Sequence, residues 1–272
     1  MQLDVLQSIS LAGNSAVPND DRSGSSARLA WVIDGATDLG PPGLVGSQGG
    51  AAWLASEAQA GFFTAADAPI AQIYAHVGAR LIAAYAAART REPEGRWELP
   101  IASAIAARLT PDALEIGWLG DCAALHLRDG TVTRLGPQGD RGAESARAAS
   151  LAQHGLGNVK RNAPILADLR ATRGRPTMRV LSVDPQHMVV ETQSVACAPR
   201  DELLLMTDGF ATLIDDYAIH DPASLMAALA EKGLATLAAE LRAIEREDAA
   251  CTRYPRFKTS DDATALWLRI GG

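Results

Sequence analysis

The sequence has few cysteines, and none of them is paired. Its 272 residues include three, Cys122, Cys197 and Cys251, which lie far apart. An odd, scattered set predicts neither a disulfide framework nor a zinc site, whose ligands come in closely spaced pairs. The five histidines also show no metal-ligand spacing. We therefore expect three buried, reduced thiols and no zinc.

The chain also lacks the segments that direct a protein to a membrane. Its first residues are not a basic start followed by an apolar block, so no signal peptide is predicted. The most apolar stretches, such as residues 101–109, fall well short of the roughly 20 residues that a membrane-spanning helix needs. These features predict a cytoplasmic protein without a membrane partner.

Positive charge is in the minority. Lysine and arginine number 25 against 32 acidic residues, for a net charge of −7. An acidic surface repels the phosphates of DNA and RNA, so no nucleic-acid partner is expected. An acidic protein that handles phosphate must concentrate positive charge locally, and metal ions can supply it. The basic run at residues 160–175 is typical of a solvated face, with an electrostatic guide for a phosphorylated substrate as the alternative.

Apolar periodicity and turn residues predict one α+β domain over residues 1–272. Two Ala-rich segments, at 47–66 and 69–89, have helical spacing of apolar positions. Four short segments between 102 and 135, separated by turn residues, predict an antiparallel meander. The remaining predicted strands are at 3–10, 28–33, 188–197, 202–207 and 263–270, and the remaining predicted helices at 140–153, 222–230 and 234–247. We expect antiparallel strands with helices packed outside them.

Acidic residues stand at the ends of several predicted strands. Hard divalent cations prefer carboxylate and carbonyl oxygens, and a site for two ions needs several acids brought together by the fold. The alternative is local: Asp-Gly is a strong hairpin signal, and Asp129-Gly130 is interpreted as an ordinary hairpin turn. For candidate acids that do not stand at strand ends, the alternative to metal binding is a solvated loop position or a helix cap. The candidates are Asp20, Asp21, Asp34, Asp121, Asp208, Asp261 and Asp262.

Five short blocks that contain these acids resemble, in their order, the signature of the type-2C metal-dependent Ser/Thr protein phosphatases (the PPM family), in a divergent, bacterial-type form. The resemblance spans nearly the whole chain. The blocks are Asn19-Asp20-Asp21, Val32-Ile33-Asp34-Gly35, Gly120-Asp121-Cys122, Thr207-Asp208-Gly209-Phe210 and Ser260-Asp261-Asp262-Ala263-Thr264.

This resemblance implies a fold and a metal site. The fold would be a β-sandwich of two antiparallel sheets flanked by helices on both outer faces, in four layers α-β-β-α, with a variable flap at about 136–179. Two Mn²⁺ or Mg²⁺ ions would be bound, and a third in some members. Asp34 would bridge two metals and the Gly35 carbonyl would join the second. Asp208 and Asp261 would hold the first metal, Asp20 or Asp21 would hold waters of the second, and Asp121 would serve the third.

The resemblance also implies an activity. A water bridging two cations becomes a usable nucleophile, and it would attack the phosphorus of a phosphoserine or phosphothreonine in a phosphorylated protein substrate. Asp34, Asp208 and Asp261 would be the catalytic acids. Two departures support an alternative, a catalytically weak or inactive binding module. Ala16 stands where many members have a phosphate-gripping arginine, and no histidine follows Asp34-Gly35.

Overall fold

The computed structural model describes residues 1–138, 143–157 and 162–272. These residues form eleven strands and six α-helices. The strands are β1 (Gln2–Leu11), β2 (Arg22–Ser25), β3 (Leu29–Gly35), β4 (Ile101–Leu109), β5 (Ala113–Leu119), β6 (Ala123–Arg128), β7 (Thr131–Leu135), β8 (Leu181–Ser182), β9 (Glu191–Ala196), β10 (Glu202–Met206) and β11 (Ala263–Gly271). The helices are α1 (Gly50–Thr64), α2 (Ile70–Ala88), α3 (Ala143–Ser150), α4 (Ala163–Arg173), α5 (Asp208–Asp215) and α6 (Pro222–Glu247).

The strands form two antiparallel sheets. One sheet has the order β1-β11-β10-β6-β7, and the other has the order β2-β3-β4-β5-β9. The short strand β8 pairs with the first residues of β4, beside the second sheet's main path. The predicted architecture of two antiparallel sheets with helices is confirmed.

Side-chain alternation explains how the two sheets stack. Successive residues of a strand point to opposite faces. In β3, Trp31 packs in an apolar cluster with α1 and α2, while Val32 packs in a second cluster between the sheets. In β10, Leu205 belongs to that same middle cluster, and Leu204 packs toward α5 and α6. Because both faces of each sheet are covered, the layers run α-β-β-α, as the resemblance implies.

Local chemistry explains where the long helix α6 begins and where its path is interrupted. Helix α6 begins with a capping box between Asp221 and Ser224, and Pro222 occupies its first turn. Within α6, Gly233 has φ +76°, which interrupts the helical path. The two helices predicted at 222–230 and 234–247 are therefore confirmed as two helical segments joined at this glycine.

The meander predicted over residues 102–135 is wrong. Strands β4 and β5 pair in one sheet, and β6 and β7 pair in the other, so the chain crosses between the sheets after β5. Gly120 makes this crossing with φ +82°, a conformation that favours glycine. The crossing matters for function because it carries the next residue, Asp121, to one end of the sandwich.

The remaining elements were predicted only in part. Strand β2 and helix α5 are not among the predicted elements, and α5 begins at the Asp208-Gly209 pair. Helix α3 lies inside the helix predicted at 140–153, whereas α4 was not predicted. Both lie in the segment predicted to be a flap, of which residues 139–142 and 158–161 fall outside the described residues. Among the described residues, no helix combines the length and apolarity that crossing a membrane requires.

Candidate metal centre

Asp34 is placed by the register of two central strands. It is the penultimate residue of β3, and its strand neighbour on β4 is Ser103. The Ser103 hydroxyl donates a hydrogen bond of 2.6 Å to Asp121 Oδ1. Two acids that are far apart in sequence are thus held beside the same β4 residue. Ser103 was not identified from the sequence, because its position opposite Asp34 depends on strand pairing alone.

Asp208 comes from the other sheet. Strand β10 ends at Met206, and Asp208 is the first residue of α5. Thr207, between them, accepts a hydrogen bond from the Thr264 backbone N–H at 2.9 Å and donates one to Asp21 Oδ2 at 2.9 Å. These bonds lock the start of α5 to β11 and to the loop that carries Asp21.

The three carboxylates meet at one end of the sandwich. Asp34, Asp121 and Asp208 each offer a carboxylate oxygen, and these oxygens lie within 4.8 Å of one another. All three residues line a cavity of about 670 Å³. Burial, reinforced by the neighbouring acids, holds the pKa values of Asp34 and Asp208 well above the usual range. The negative charges therefore oppose one another, and bound cations would offset them.

The donor chemistry of this group fits hard divalent cations. Every side-chain donor in it is a carboxylate oxygen, which suits Mg²⁺ and Mn²⁺ rather than metals that prefer sulfur or nitrogen. Gly35 lines the same cavity beside Asp34, and its Cα lies against the Asp20 backbone, where a side chain would not fit. Because Gly35 has no side chain, its backbone forms part of the cavity wall.

Asp261 lies on the same cavity but outside the group of three. Its Oδ1 accepts a hydrogen bond from Lys258 Nζ at 2.6 Å, and its backbone carbonyl accepts one from Arg242. Its charge still contributes to raising the pKa values of Asp34 and Asp208. Lys258 was not singled out from the sequence; its spacing of three residues before Asp261 was the available signal.

Asp20 and Asp21 are not among the residues that line the cavity. Asp21 is 2% exposed, and burial raises its pKa to about 8. Burial and the neighbouring Asp262 raise the pKa of Asp20 to about 7. Asp262 holds this loop in place, because its two carboxylate oxygens accept the backbone N–H groups of Gly13 and Asp20 at 2.8 and 2.6 Å. In this geometry the first block supports the centre, and it does not join the carboxylate group.

Ala16 is exposed in the same loop and places no side chain in the cavity. Arg22, the first residue of β2, donates to the backbone carbonyls of Asn19 and Asp21 at 2.7 Å each. It is therefore a structural residue of the loop.

The basic run at 160–175 includes side chains that bind the backbone. Arg170 and Arg173 of α4 donate to the carbonyls of Leu39 and Thr37, each at 2.7 Å. Arg170 also stacks over the Trp97 ring, 4.0 Å from its centroid. These contacts dock α4 on the loop that follows Asp34. The first two residues of the run, 160 and 161, lie outside the described residues.

Comparisons with known proteins agree with this geometry. The family model described as "Protein phosphatase 2C" matches residues 14–244. No curated protein matches the sequence. The fold is similar to that of the Mycobacterium tuberculosis serine/threonine phosphatase PstP/Ppp, with a TM-score of 0.61, 20% identity and 100% of both chains covered.

Two further structures are similar. One is the catalytic domain of the phosphatase PstP in complex with two manganese ions, with a TM-score of 0.58, 19% identity and 100% of this chain and 99% of that chain covered. The other is the serine/threonine phosphatase Stp1 of Staphylococcus aureus, with a TM-score of 0.56, 16% identity and coverage of 100% and 98%. At these identities the likeness shows a shared fold.

Proposed function

The chain belongs to the protein phosphatase 2C family, and on that premise we propose that it is a metal-dependent phosphatase of phosphoserine and phosphothreonine in protein substrates. The observation that carries the proposal is the group of carboxylate oxygens from Asp34, Asp121 and Asp208, within 4.8 Å of one another on the wall of a large cavity. We further propose that residues 1–272 act as one catalytic domain, with the flap at about 136–179 beside the site.

Two divalent cations, Mn²⁺ or Mg²⁺, are the cofactors that this site favours. Asp34 and Asp208 would hold them, with the Gly35 carbonyl beside Asp34, Asp261 at the edge of the cavity, and Asp121 as the ligand of a further ion. Asp20 and Asp21, which do not line the cavity, would act on waters of the second ion. When bound, such cations lower the pKa of water and offset charge on phosphoryl oxygens.

The chain's own residues bind and orient. Ser103 fixes the orientation of Asp121 through the bond to Oδ1. Thr207 and Asp21 hold the start of α5, so Asp208 enters the site from a rigid element. In the proposed hydrolysis, the bond between phosphorus and the serine or threonine oxygen breaks, water provides the new oxygen on phosphorus, and the departing oxygen takes up a proton from solvent.

The alternative, a binding module without turnover, has no observation in its favour among the described residues. Three acids of the five sequence blocks are close enough together to share cations. A module that only binds phosphorylated partners would not require this arrangement of mutually repelling carboxylates.

The test is hydrolysis of an aryl phosphate by metal-stripped protein titrated with Mn²⁺ and with Mg²⁺. Wild type is compared with Asp34→Asn and with Asp129→Asn, a control that removes the same charge from an exposed hairpin turn. We expect metal-dependent turnover in wild type and control, and its loss in Asp34→Asn. Absence of turnover at millimolar metal, with aryl phosphate and with a phosphothreonine peptide, would refute the proposal.

A further inference from the structure

Within the described part of the chain, one cationic side chain of the cavity has no partner. Among the described cavity-lining residues, five cations make hydrogen bonds or ion pairs to other residues: Arg134 with Asp215, Arg147 with Asp168, Arg173 with the Thr37 carbonyl, Arg256 with Asp248, and Lys258 with Asp261. Arg179 also lines the cavity, and within the described chain its guanidinium makes no hydrogen bond or ion pair.

We propose that Arg179 binds the phosphate group of the substrate beside the carboxylates of the candidate metal centre. The inference rests on the proposed function and assigns to that function a substrate-binding residue. It is argued from the placement of Arg179 in the sheet, from the charge of the cavity, and from the geometry of the guanidinium.

Strand pairing places Arg179 near Asp121. Strand β5 pairs with β4 up to Leu119, opposite Ala104, and then leaves the sheet at Gly120. Beyond the point where β5 ends, strand β8 pairs with β4 in its place, since Leu181 lies opposite Ala102. Neighbouring strands are about 4.8 Å apart, so the residues just before β8 reach the same point of the sheet that Gly120 and Asp121 leave. Arg179 stands two residues before β8, and it shares the cavity with both of them.

The backbone around Arg179 is anchored while its side chain is free to reach a ligand. The next residue, Val180, is buried, and its N–H donates to the His187 carbonyl at 3.3 Å. Leu181 is fully buried in β8. The Arg179 side chain is exposed at the cavity. Because the backbone is already fixed, phosphate binding has to order only the Arg179 side chain, which lowers the entropic cost of binding.

The charge of the cavity explains why a phosphate needs this residue. A phosphate monoester is an anion, and the wall it approaches carries the carboxylates of Asp34, Asp121 and Asp208. Arginine presents five N–H donors in a planar fork that matches two phosphate oxygens. Arg134 cannot do this without losing its two bonds to Asp215, at 2.6 and 2.8 Å. Arg179 has no such bond to any residue that the structure describes.

The experiment compares Arg179→Ala and Arg179→Lys with Arg175→Ala. Arg175 is an exposed arginine in the same segment that lies outside the cavity, so its variant removes the same charge. The measurements are KM and kcat for a phosphothreonine peptide, the inhibition constant of inorganic phosphate, and the Mn²⁺ concentration for half activation.

We expect Arg179→Ala to raise KM and the phosphate inhibition constant by about 10- to 100-fold, the range for a hydrogen-bonded charged group. The kcat should change less, because an arginine that binds ground state and transition state alike acts on KM. The Mn²⁺ concentration for half activation should be the same in Arg179→Ala and in wild type. Arg179→Lys should recover part of the loss, since lysine keeps the charge without the fork. Arg175→Ala should match wild type.

Equal KM and phosphate inhibition constants in wild type and Arg179→Ala would overturn the assignment, as would an equal loss in Arg175→Ala. If wild type shows no turnover at all, the proposed function fails separately. In that case, direct binding of the phosphothreonine peptide, measured by fluorescence anisotropy, decides the role of Arg179. Weaker binding by Arg179→Ala supports it, and equal or absent binding overturns it.

Discussion

Replacing Asp34 by asparagine should make the metal-free protein more stable while removing its response to metal. The substitution keeps the size of the side chain and deletes one of three carboxylates whose oxygens lie within 4.8 Å of one another. Without cations these acids repel one another, and burial already opposes the charge of Asp34 and Asp208. Function and stability should therefore respond to this one change in opposite directions.

The size of the expected stability change follows from the distance between the carboxylate oxygens. At 4.8 Å and an effective dielectric constant of about 20, two unit charges repel by about 3 kcal/mol. Asp34 has two such neighbours, Asp121 and Asp208, but the raised pKa values of Asp34 and Asp208 mean that proton uptake relieves part of the repulsion. We expect Asp34→Asn to raise the free energy of unfolding at pH 8 by about 1–3 kcal/mol, which corresponds to about 2–4 °C in Tm for each kcal/mol. At pH 5 the gain should shrink.

The assay is thermal unfolding in the presence of a chelator and again with saturating Mn²⁺. Metal that binds only the folded state stabilises it by about 4.1 kcal/mol at a thousand times Kd, which exceeds the gain of about 1–3 kcal/mol expected for the variant. In chelator, Asp34→Asn should unfold at a higher temperature than wild type, and in Mn²⁺ the order should reverse. Asp129→Asn, whose side chain is 89% exposed in the hairpin turn, should follow wild type in both conditions.

Two results would refute this reasoning. Lower stability of Asp34→Asn than of wild type in chelator at pH 8 would mean that the carboxylate makes a favourable contact that outweighs repulsion. Alternatively, Mn²⁺ could stabilise the variant as much as wild type, which would mean that the ions bind elsewhere.

Three further predictions concern the supports of the centre. Asp208→Asn should abolish metal-dependent turnover while circular dichroism stays native; full activity would show that Asp208 is not a ligand. Gly120→Ala should cost about 1–3 kcal/mol in denaturant unfolding, because its Cβ would overlap Ser103. Gly130→Ala, with a similar φ but open space around it, should cost less, and equal costs would contradict the overlap. Burial raises the pKa of Asp21 from 3.8 to about 8, so the folded state holds this proton more tightly than the unfolded state. Metal-free stability from this group is full below about pH 4 and is lost as pH rises to about 8, by at most about 1.4 kcal/mol per pH unit. Asp21→Asn should give a shallower pH dependence by chemical denaturation, and an unchanged slope would contradict it.

Local patterns were sufficient for most strands and helices. Strand β7 begins and ends where alternation and the Asp129-Gly130 turn predict, because a two-residue hairpin is determined by adjacent residues. The Ala-rich helices α1 and α2 were likewise predicted, since helix propensity and apolar spacing act over a few turns. Strand β2 was missed because its sequence, Arg-Ser-Gly-Ser, has neither apolar alternation nor β-branched residues.

The partner of each strand was decided only by the tertiary structure. Residues 102–135 read locally as four successive hairpin strands, yet the chain divides them between two sheets at Gly120. A turn between neighbouring strands and a crossing between sheets have the same local residues, glycine and aspartate. The difference arises from which apolar face each strand buries, and that depends on distant parts of the chain.

The same division holds for the candidate centre. The sequence by itself determined which acids were candidates, because an acid at the end of an apolar strand combines a rigid backbone with a free carboxylate. Only the tertiary structure decided that Asp121 joins Asp34 and Asp208 and that Lys258 binds Asp261. It also decided that Arg179 lines the cavity without a partner among the described residues. The physical reason is that strand propensity acts between neighbours in sequence. Distances between side chains depend on sheet register and loop packing, which bring together residues more than a hundred positions apart.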